Sequence, residues 1–143
     1  MNSDVREDGQ KELIAFLDSM NNWEGKYHNL MVSAFSGMGD VDSVKKGAKS
    51  DLEGIFSKYS IKKKTDWGRL DLVNAGWPAT YDKNRDEMTL CHDDEKNSIF
   101  EYKQNIVGGW VIRFHMKNLD GKWMICKAEH FDDLKNSWKR HVL

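Results

Sequence analysis

The spacing of apolar residues changes once along this chain of 143 residues, and that change limits the folds open to it. From Leu13 to Ala34 apolar residues recur every three or four positions, which is the spacing of one face of an α-helix. From Thr65 onward they alternate with polar residues, as in a β-strand with one buried face. The order of helices and then strands predicts an α+β fold, with the helices packed on one face of a sheet.

The helical half is predicted to contain two helices separated by a break. The glycine-containing stretch 36–40 ends the first helix. Ser50 and Glu53 have the spacing of a capping box, which predicts that the second helix begins there, with the apolar residues from Leu52 to Tyr59 on one face. The segment between the break and Ser50 is basic and poorly periodic, and it is interpreted as a linker with room for a short helix.

The alternating half predicts strands joined by short polar turns, at about 72–81, 86–92, 98–104, 109–117 and 122–130. Such turns permit only antiparallel pairing, because a parallel connection needs a crossover of about a dozen residues or more. After the last strand, Leu134, Trp138 and Val142 recur every four residues. This spacing predicts a C-terminal helix over 131–142.

The loop of the final hairpin decides which residues of its two strands share a face. A two-residue loop would place Lys127 opposite Phe114 and bring charge into the apolar face. A three-residue loop at 119–121 collects the apolar residues on the inner face and leaves Trp123 and Ile125 outside, among charges. We prefer the second register. Large apolar groups rimmed by charge are typical of an interface, and cover by sheet curvature or the C-terminal helix is an equal alternative.

Composition limits the cellular compartment in which the protein is expected and the kinds of partner that it is expected to bind. Lys and Arg number 22 against 23 Asp and Glu, so the chain lacks the basic excess of a nucleic-acid-binding protein. The length and the absence of a flexible linker predict one domain over 1–143. No apolar run is long enough to span a membrane and the N-terminus has no apolar signal core, so we expect a cytoplasmic protein. Cys91 and Cys126 are expected to be reduced and buried.

The sequence contains no arrangement typical of catalysis or of metal binding. In the preferred register His130 points inward beside Trp110 without a carboxylate at its side, and a lone inward histidine is more often a hydrogen-bonded core residue than a base. The five histidines have no close ligand spacing and there is no Cys-x-x-Cys pair. We therefore expect no enzyme activity, no metal and no cofactor.

Three short motifs give the chain a resemblance to a known family. The ending DGKWMI at 120–125 is frequent in the nuclear transport factor 2-like fold, in which a curved sheet wraps a long helix to form a cone. The segments FLDSMNNWE at 16–24 and GWPATYD at 76–82, with that hairpin, resemble bacterial immunity proteins of the same fold. The resemblance implies N-terminal helices packed on a curved antiparallel sheet. It also implies a protein that binds and neutralises a cognate toxin encoded beside it in a polymorphic toxin system.

The predicted contact surface combines the outer face of the sheet with an acidic turn. Its members are Arg113, His115, Trp123 and Ile125 on the face, and Asp93, Asp94 and Glu95 in the turn. Carboxylates in the turn would attract the positive active site of a toxin that acts on nucleic acids, although a solvated turn is the simpler interpretation. The expected mechanism is stoichiometric occlusion of the toxin, without nucleic acid or membrane as partner. Two alternatives stay open: a small-molecule-binding protein or enzyme that uses the cone pocket, and a homodimer formed through the outer face.

Overall fold

The computed structural model describes residues 2–61, Arg69, Ala75 and 79–143, with side chains from Asp8 onward. Among these residues, two long helices precede an antiparallel sheet, which confirms the predicted α+β class. The sheet is a meander in which each strand pairs with the next one along the chain. The elements are α1 (Asn2–Ser33), α2 (Val41–Tyr59), β1 (Glu87–Asp93), β2 (Asn97–Lys103), β3 (Val111–Leu119), β4 (Lys122–Asp132) and β5 (Ser137–Arg140).

The apolar stripe of α1 faces α2 and the sheet, and the helix ends in a π-helical turn, Ala34–Met38, where Gly37 has a φ of 84°. The predicted start of the second helix is wrong, because α2 begins at Val41 and runs unbroken through Ser50. The Asp40 side chain accepts a hydrogen bond from the Asp42 amide at 3.1 Å and caps the helix ten residues before the predicted cap. The basic linker is therefore the first half of α2.

Four predicted strands match β1 to β4 within two residues at each end. The predicted strand 72–81 lies largely outside the described residues, and 79–81 are not part of a strand. The predicted C-terminal helix is wrong, because 133–136 form a turn and β5 follows. The Asp132 carboxylate accepts hydrogen bonds from the amides of Leu134 and Lys135, and Asn136 has a φ of 50°. These features reverse the chain, which pairs β5 with β4.

The preferred register of the β3–β4 hairpin is also wrong. Asp120 and Gly121 form a two-residue loop in which both φ angles are positive, as a type I′ turn requires. The register then shifts near the middle of the hairpin, because Met116 pairs with Ile125 whereas His115 pairs with Lys127. Cys126 is the extra residue of a β-bulge, and it reverses the alternation of β4.

This bulge places two apolar sets on the same face of β4. Trp123 and Ile125 lie on the core side before the bulge, and Ala128 lies there after it. Regular alternation would have exposed one set or the other. Trp123 and Ile125 are 2% and 1% exposed, so the sequence-based placement of both on the outer face is wrong.

A second bulge lies at Cys91 in β1, where Leu90 pairs with Phe100 and His92 pairs with Ile99. Each cysteine is the extra residue of a bulge, and neither forms a disulfide. Cys91 is exposed and Cys126 is half-buried, so the expectation that both are buried is wrong. Bulges increase the local twist and bend a sheet, and here they accompany the packing of the sheet around α1.

The space between the helices and the sheet is filled by aromatic side chains. Phe16 of α1 is central, with ring centroids 6.0 to 6.4 Å from four neighbours. Those neighbours are Phe56, Tyr59, Tyr81 and Phe114. Burial raises the pKa of Tyr81 to about 12, so this phenol stays neutral. The interior is an aromatic core of edge-to-face and tilted contacts.

Candidate partner-binding surface

The outer sheet face, the side of the sheet away from the helices, carries one row of polar residues that crosses all five strands. Register places Thr89, Glu101, Arg113, Glu129 and Arg140 in line. After Thr89 the charges alternate from acidic to basic along the row. Each pair of opposite charges on neighbouring strands stabilises a sheet by a few tenths of a kcal/mol up to about 1 kcal/mol. The alternating charges of this row therefore favour the pairing of these strands.

Arg113 of this row contacts both a carboxylate and an aromatic ring. Its Nε lies 3.3 Å from Oε2 of Glu101, and its guanidinium carbon lies 4.0 Å from the centre of the Trp138 ring. Trp138 in turn packs against Phe131, with ring centroids 5.3 Å apart. Cation–π contacts of this kind contribute about 0.5–2 kcal/mol depending on exposure. Arg113, Trp138 and Phe131 therefore form a pre-organised cluster, called here the Arg–Trp cluster.

His115 forms the second polar pair of the outer face. Its Nε2 lies 2.6 Å from Oε1 of Glu129, and both side chains are mostly covered. Burial lowers the pKa of His115, and the neighbouring Lys127 and Arg113 act in the same direction against the hydrogen bond with Glu129. The imidazole is accordingly neutral at pH 7 and holds the Glu129 carboxylate in place.

The acidic turn between β1 and β2 is strongly organised by its own backbone. Oδ1 of Asp94 accepts hydrogen bonds from the amides of Lys96 and Asn97, both at 2.8 Å, and Oδ2 lies 2.8 Å from Nε2 of His92. The hydrogen bond from His92 and those two amides lower the pKa of Asp94 to about 2. Asp93 accepts a hydrogen bond from the Ser98 hydroxyl at 3.2 Å. Both aspartates thus maintain the turn, and Glu95 is exposed.

The structure brings together only part of the predicted contact set. Arg113 and His115 lie on the outer sheet face as predicted, and the acidic turn is exposed at one end of the sheet. Trp123 and Ile125 are in the core and are removed from the set. Sequence reasoning missed Trp138, because it placed this residue in a helix. The turn-forming run Asp132 to Asn136, followed by alternation of Trp138 and Arg140, is the signal that identifies the extra strand.

A pocket of about 190 Å³ lies between α1 and the sheet, and it is lined by Tyr81, Tyr102, Asp86, the charged Asp18 and Lys83, and apolar residues of α1 and β1. No histidine lies among its described lining residues. Asp86 is held by Arg85 through contacts of 2.6 and 2.8 Å and is the acceptor for the Tyr102 hydroxyl. Its carboxylate is thus committed to structural bonds, and the pocket holds no imidazole–carboxylate pair.

His130 packs beside Trp110, as predicted, with ring centroids 4.2 Å apart. Its polar neighbour is His141, whose Nδ1 lies 3.2 Å from Nδ1 of His130. Within the described residues, no cluster of three or more His, Cys, Asp or Glu side chains could hold a metal ion. In the same part of the chain, neither helix has the length and apolar character that crossing a membrane requires.

Comparison with known proteins identifies the family. The sequence model of the NTF2 fold immunity proteins matches residues 8–142. The chain belongs to this family. The immunity protein is also 29% identical over 135 residues to "Immunity protein RhsIA" of Dickeya dadantii strain 3937, an alignment that covers 94% of this chain and 95% of that relative. No solved structure matches it significantly.

Family membership confirms two predictions made from the sequence. The two helices and five-stranded antiparallel sheet are the nuclear transport factor 2-like arrangement that the motifs predicted. The function is that of a toxin-neutralising immunity protein. The outer sheet face and the acidic turn are then candidate contacts for the toxin.

Proposed function

We propose that this immunity protein neutralises its cognate toxin by forming a stoichiometric complex, in which the outer sheet face covers the toxin's active site or its path to substrate. The observation that carries this proposal is the Arg–Trp cluster. Arginine and tryptophan are the residue types that most often dominate binding energy at protein interfaces. Both lie here on an open sheet face instead of in the core.

The cluster is also fixed before any partner arrives. Glu101 and the Trp138 ring hold the Arg113 guanidinium from two sides, and Phe131 holds Trp138. Ordering a long side chain during binding costs about 0.5–1.5 kcal/mol, and this cost is reduced where the side chain is already held. Pre-organisation of this kind favours docking onto a folded partner.

The interior supports binding as the mechanism in preference to catalysis. The core beneath the sheet is occupied by packed aromatic rings, and the imidazole–carboxylate pair of His115 and Glu129 lies on the outer face. We place the protein in the cytoplasm, where Cys91 and Cys126, which form no disulfide, would remain reduced.

In the same proposal the acidic turn acts mainly on the rate of association. Asp93 and Asp94 are engaged in hydrogen bonds within the turn, and their charge nevertheless adds to that of the exposed Glu95. A carboxylate-rich turn accelerates encounter with a positively charged surface, and the acceleration falls as salt increases. We therefore expect the acidic turn to raise the association rate and to make that rate depend on salt concentration.

The test removes the cluster while leaving the fold intact. We expect Trp138→Ala to weaken toxin binding about thirtyfold or more, the size of a hot-spot effect of about 2 kcal/mol. Arg113→Ala should have a similar effect. The loss of binding free energy in the double variant should be smaller than the sum of the two single losses, because the two side chains contact each other. Binding is measured by titration calorimetry with an inactive form of the toxin encoded beside the immunity gene, and protection by co-expression with the active toxin.

Glu53→Ala is the control, because Glu53 is exposed on α2, on the side of the sheet away from the outer face. It should bind as the parent protein does. Folded Trp138→Ala and Arg113→Ala variants that bind and protect normally would contradict the use of this face. A parent protein that forms no complex with the toxin would contradict stoichiometric occlusion itself.

A further inference from the structure

The far end of α1 exposes large apolar side chains that the core does not use. Val32 is 53% exposed, Phe35 is 72% exposed, and Met38, in the π-helical turn, is 83% exposed. Met31 is half-buried and lies one helical turn before Phe35. These four residues are called here the apolar helix end. Large apolar groups collected at one place on a surface are typical of an interaction site, and phenylalanine and methionine are enriched in protein interfaces.

The apolar helix end lies beyond the part of α1 that packs in the core. Ala34 is buried against the following turn, where a Cβ built on Gly39 would lie 3.8 Å from the Cα of Ala34. Val32 and Phe35 point away from this contact, because each residue of a helix is rotated by about 100° from the one before it. They have little burial to lose, so a serine at Phe35 or Met38 should leave the fold intact.

Local hydrogen bonds hold the apolar helix end in one shape. The Ser36 hydroxyl donates to the Val32 carbonyl at 2.9 Å. On the other side of the turn, the Asp40 carboxylate accepts hydrogen bonds from the Asp42 amide at 3.1 Å and from the Ser43 hydroxyl at 2.8 Å. A surface that is already ordered loses less conformational entropy when a partner docks on it.

Charged residues of both signs follow the apolar helix end along the chain. Asp40 and Asp42, where α2 begins, are called here the acidic start. The lysines of the next two turns are called the lysine run: Lys45, Lys46 and Lys49. All five side chains are exposed, and no ion pair joins the lysine run to another described residue. These charges are therefore available to a partner.

The order of these charges is complementary to itself across a two-fold axis. Such an axis makes the α2 helices of two copies antiparallel, so the acidic start of each copy lies beside the lysine run of the other. Tyr27 lies beside Gly47 and Ala34 lies beside Gly39, so Met31 is about level with the boundary between the acidic start and the lysine run. An axis at this level therefore brings the opposite charges and the two apolar helix ends together.

Two other occupants fit the apolar helix end less well. An anionic membrane would repel the acidic start, which is nearer to the apolar residues along the chain than the lysine run is. The toxin is proposed to bind the outer sheet face, and α1 and α2 pack against the other face of the sheet. A second copy supplies the matching charges by symmetry, and a formal net charge of -1 causes little repulsion between copies.

We propose that two copies of the immunity protein form a two-fold dimer through their apolar helix ends, with the acidic start of each copy beside the lysine run of the other. The apolar helix end is much smaller than the interface of a stable complex, which has about 20–30 residues a side, so the dissociation constant of the dimer is expected to be micromolar. The dimer leaves both outer sheet faces free. The inference therefore does not rest on the proposed function.

The first experiment measures the mass of the whole chain by analytical ultracentrifugation, from about 1 μM to about 1 mM protein. We expect the parent protein to change from one chain to two over this range. Phe35→Ser should raise the dissociation constant of the dimer about tenfold or more, because a two-fold interface contains each substitution twice. Val107→Ser is the matched control, since Val107 is a fully exposed apolar residue in the loop between β2 and β3 and should not affect the dimer.

The second experiment tests the pairing of charges. Asp42→Lys places a lysine opposite the lysine run of the other copy, and Lys46→Glu places a carboxylate opposite the acidic start, so each variant should dimerise more weakly than the parent protein. An equimolar mixture of the two variants restores opposite charges at both contacts. We expect the mixture to dimerise more strongly than either variant alone, and the difference to shrink as salt increases.

The outcomes separate this inference from the proposed function. A parent protein that stays monomeric at every concentration overturns the dimer, as does a folded Phe35→Ser variant that dimerises like the parent. A mixture of Asp42→Lys and Lys46→Glu that dimerises no better than either variant overturns the two-fold pairing of charges. If the parent is monomeric and Phe35→Ser reduces its affinity for the inactive toxin or for phosphatidylglycerol vesicles, another partner covers this end and the inference is overturned. Trp138→Ala should dimerise normally, whatever its effect on toxin binding.

Discussion

Replacing Trp123 with alanine should destabilise the protein by about 3–5 kcal/mol, the range measured for large-to-small aromatic changes in cores. Trp123 is 2% exposed and lies on the core side of β4. Its ring lies against α1, where a Cβ built on Gly9 would be 3.4 Å from two ring carbons. Because the glycine lets the helix backbone approach the ring closely, the cavity left by alanine would lie between two rigid elements.

The neighbouring residue provides the matched comparison. Met124 is only half-buried and lies on the opposite face of β4, so Met124→Ala should cost about 1 kcal/mol or less. Chemical denaturation monitored by circular dichroism measures both values. Equal losses for Trp123→Ala and Met124→Ala, or a greater loss at Met124, would contradict the placement of Trp123 in the core and restore the register with Trp123 outside.

This hairpin also shows where sequence reasoning reached its limit. Alternation of apolar and polar residues located β3 and β4 within two residues, because burial of one face imposes that pattern. Alternation alone offered two registers, and each left some apolar residues outside or some charges inside. A bulge resolves the conflict by changing the face half-way along β4, with both Ile125 and Ala128 buried. A conflict between two regular registers is itself a sequence signal for a bulge.

The C-terminal segment was missed for a different physical reason. The spacing of Leu134, Trp138 and Val142 fits a helix, but Leu134 is at an exposed turn and the three residues do not share a buried face. The turn chemistry of Asp132 and Asn136 outweighs the periodicity, since it forms hydrogen bonds locally. The consequence for function is direct: the error removed Trp138 from the outer sheet face, where it contacts Arg113.

The contact residues were therefore predictable only in part. Arg113 and His115 followed from alternation in β3, which does not depend on the loop of the hairpin. The contacts that make these residues a candidate site come from β4 and β5, through Glu129 and Trp138. Contacts between strands depend on register, and register depends on bulges and turns that alternation does not encode.

A second large effect is expected at Asp86, which organises the chain around the start of β1. Its side chain is fully buried and accepts hydrogen bonds from Arg85, from the Tyr102 hydroxyl and from the amides of Asp82 and Asn105. We expect Asp86→Ala to cost about 3–5 kcal/mol, because it leaves the largely buried Arg85 guanidinium without its counterion. That loss is comparable with the whole stability of a small domain, about 5–15 kcal/mol.

Asp86→Asn tests the charge separately from the packing. Burial alone would raise the pKa of Asp86, but hydrogen bonds from Arg85, Tyr102 and the two amides outweigh burial and lower it. A carboxylate whose pKa is lowered on folding contributes stability above its unfolded pKa, about 3.9, and loses that contribution as the pH falls through the folded value. The free energy of unfolding should therefore decline less steeply below about pH 4 in Asp86→Asn than in the parent protein.

The measurement is a series of denaturant titrations from pH 7 to pH 3 on the parent protein, Asp86→Asn and Asp133→Asn. Asp133→Asn is the control, because this exposed carboxylate should contribute nothing measurable to stability at pH 7. Other carboxylates with lowered pKa values, such as Asp51 and Asp132, are present in all three proteins. Their contributions to the pH dependence therefore cancel when the free energies of unfolding of two proteins are subtracted. Parallel stability curves for the parent and Asp86→Asn would show that the Asp86 charge, and with it the Arg85 ion pair, does not support the fold.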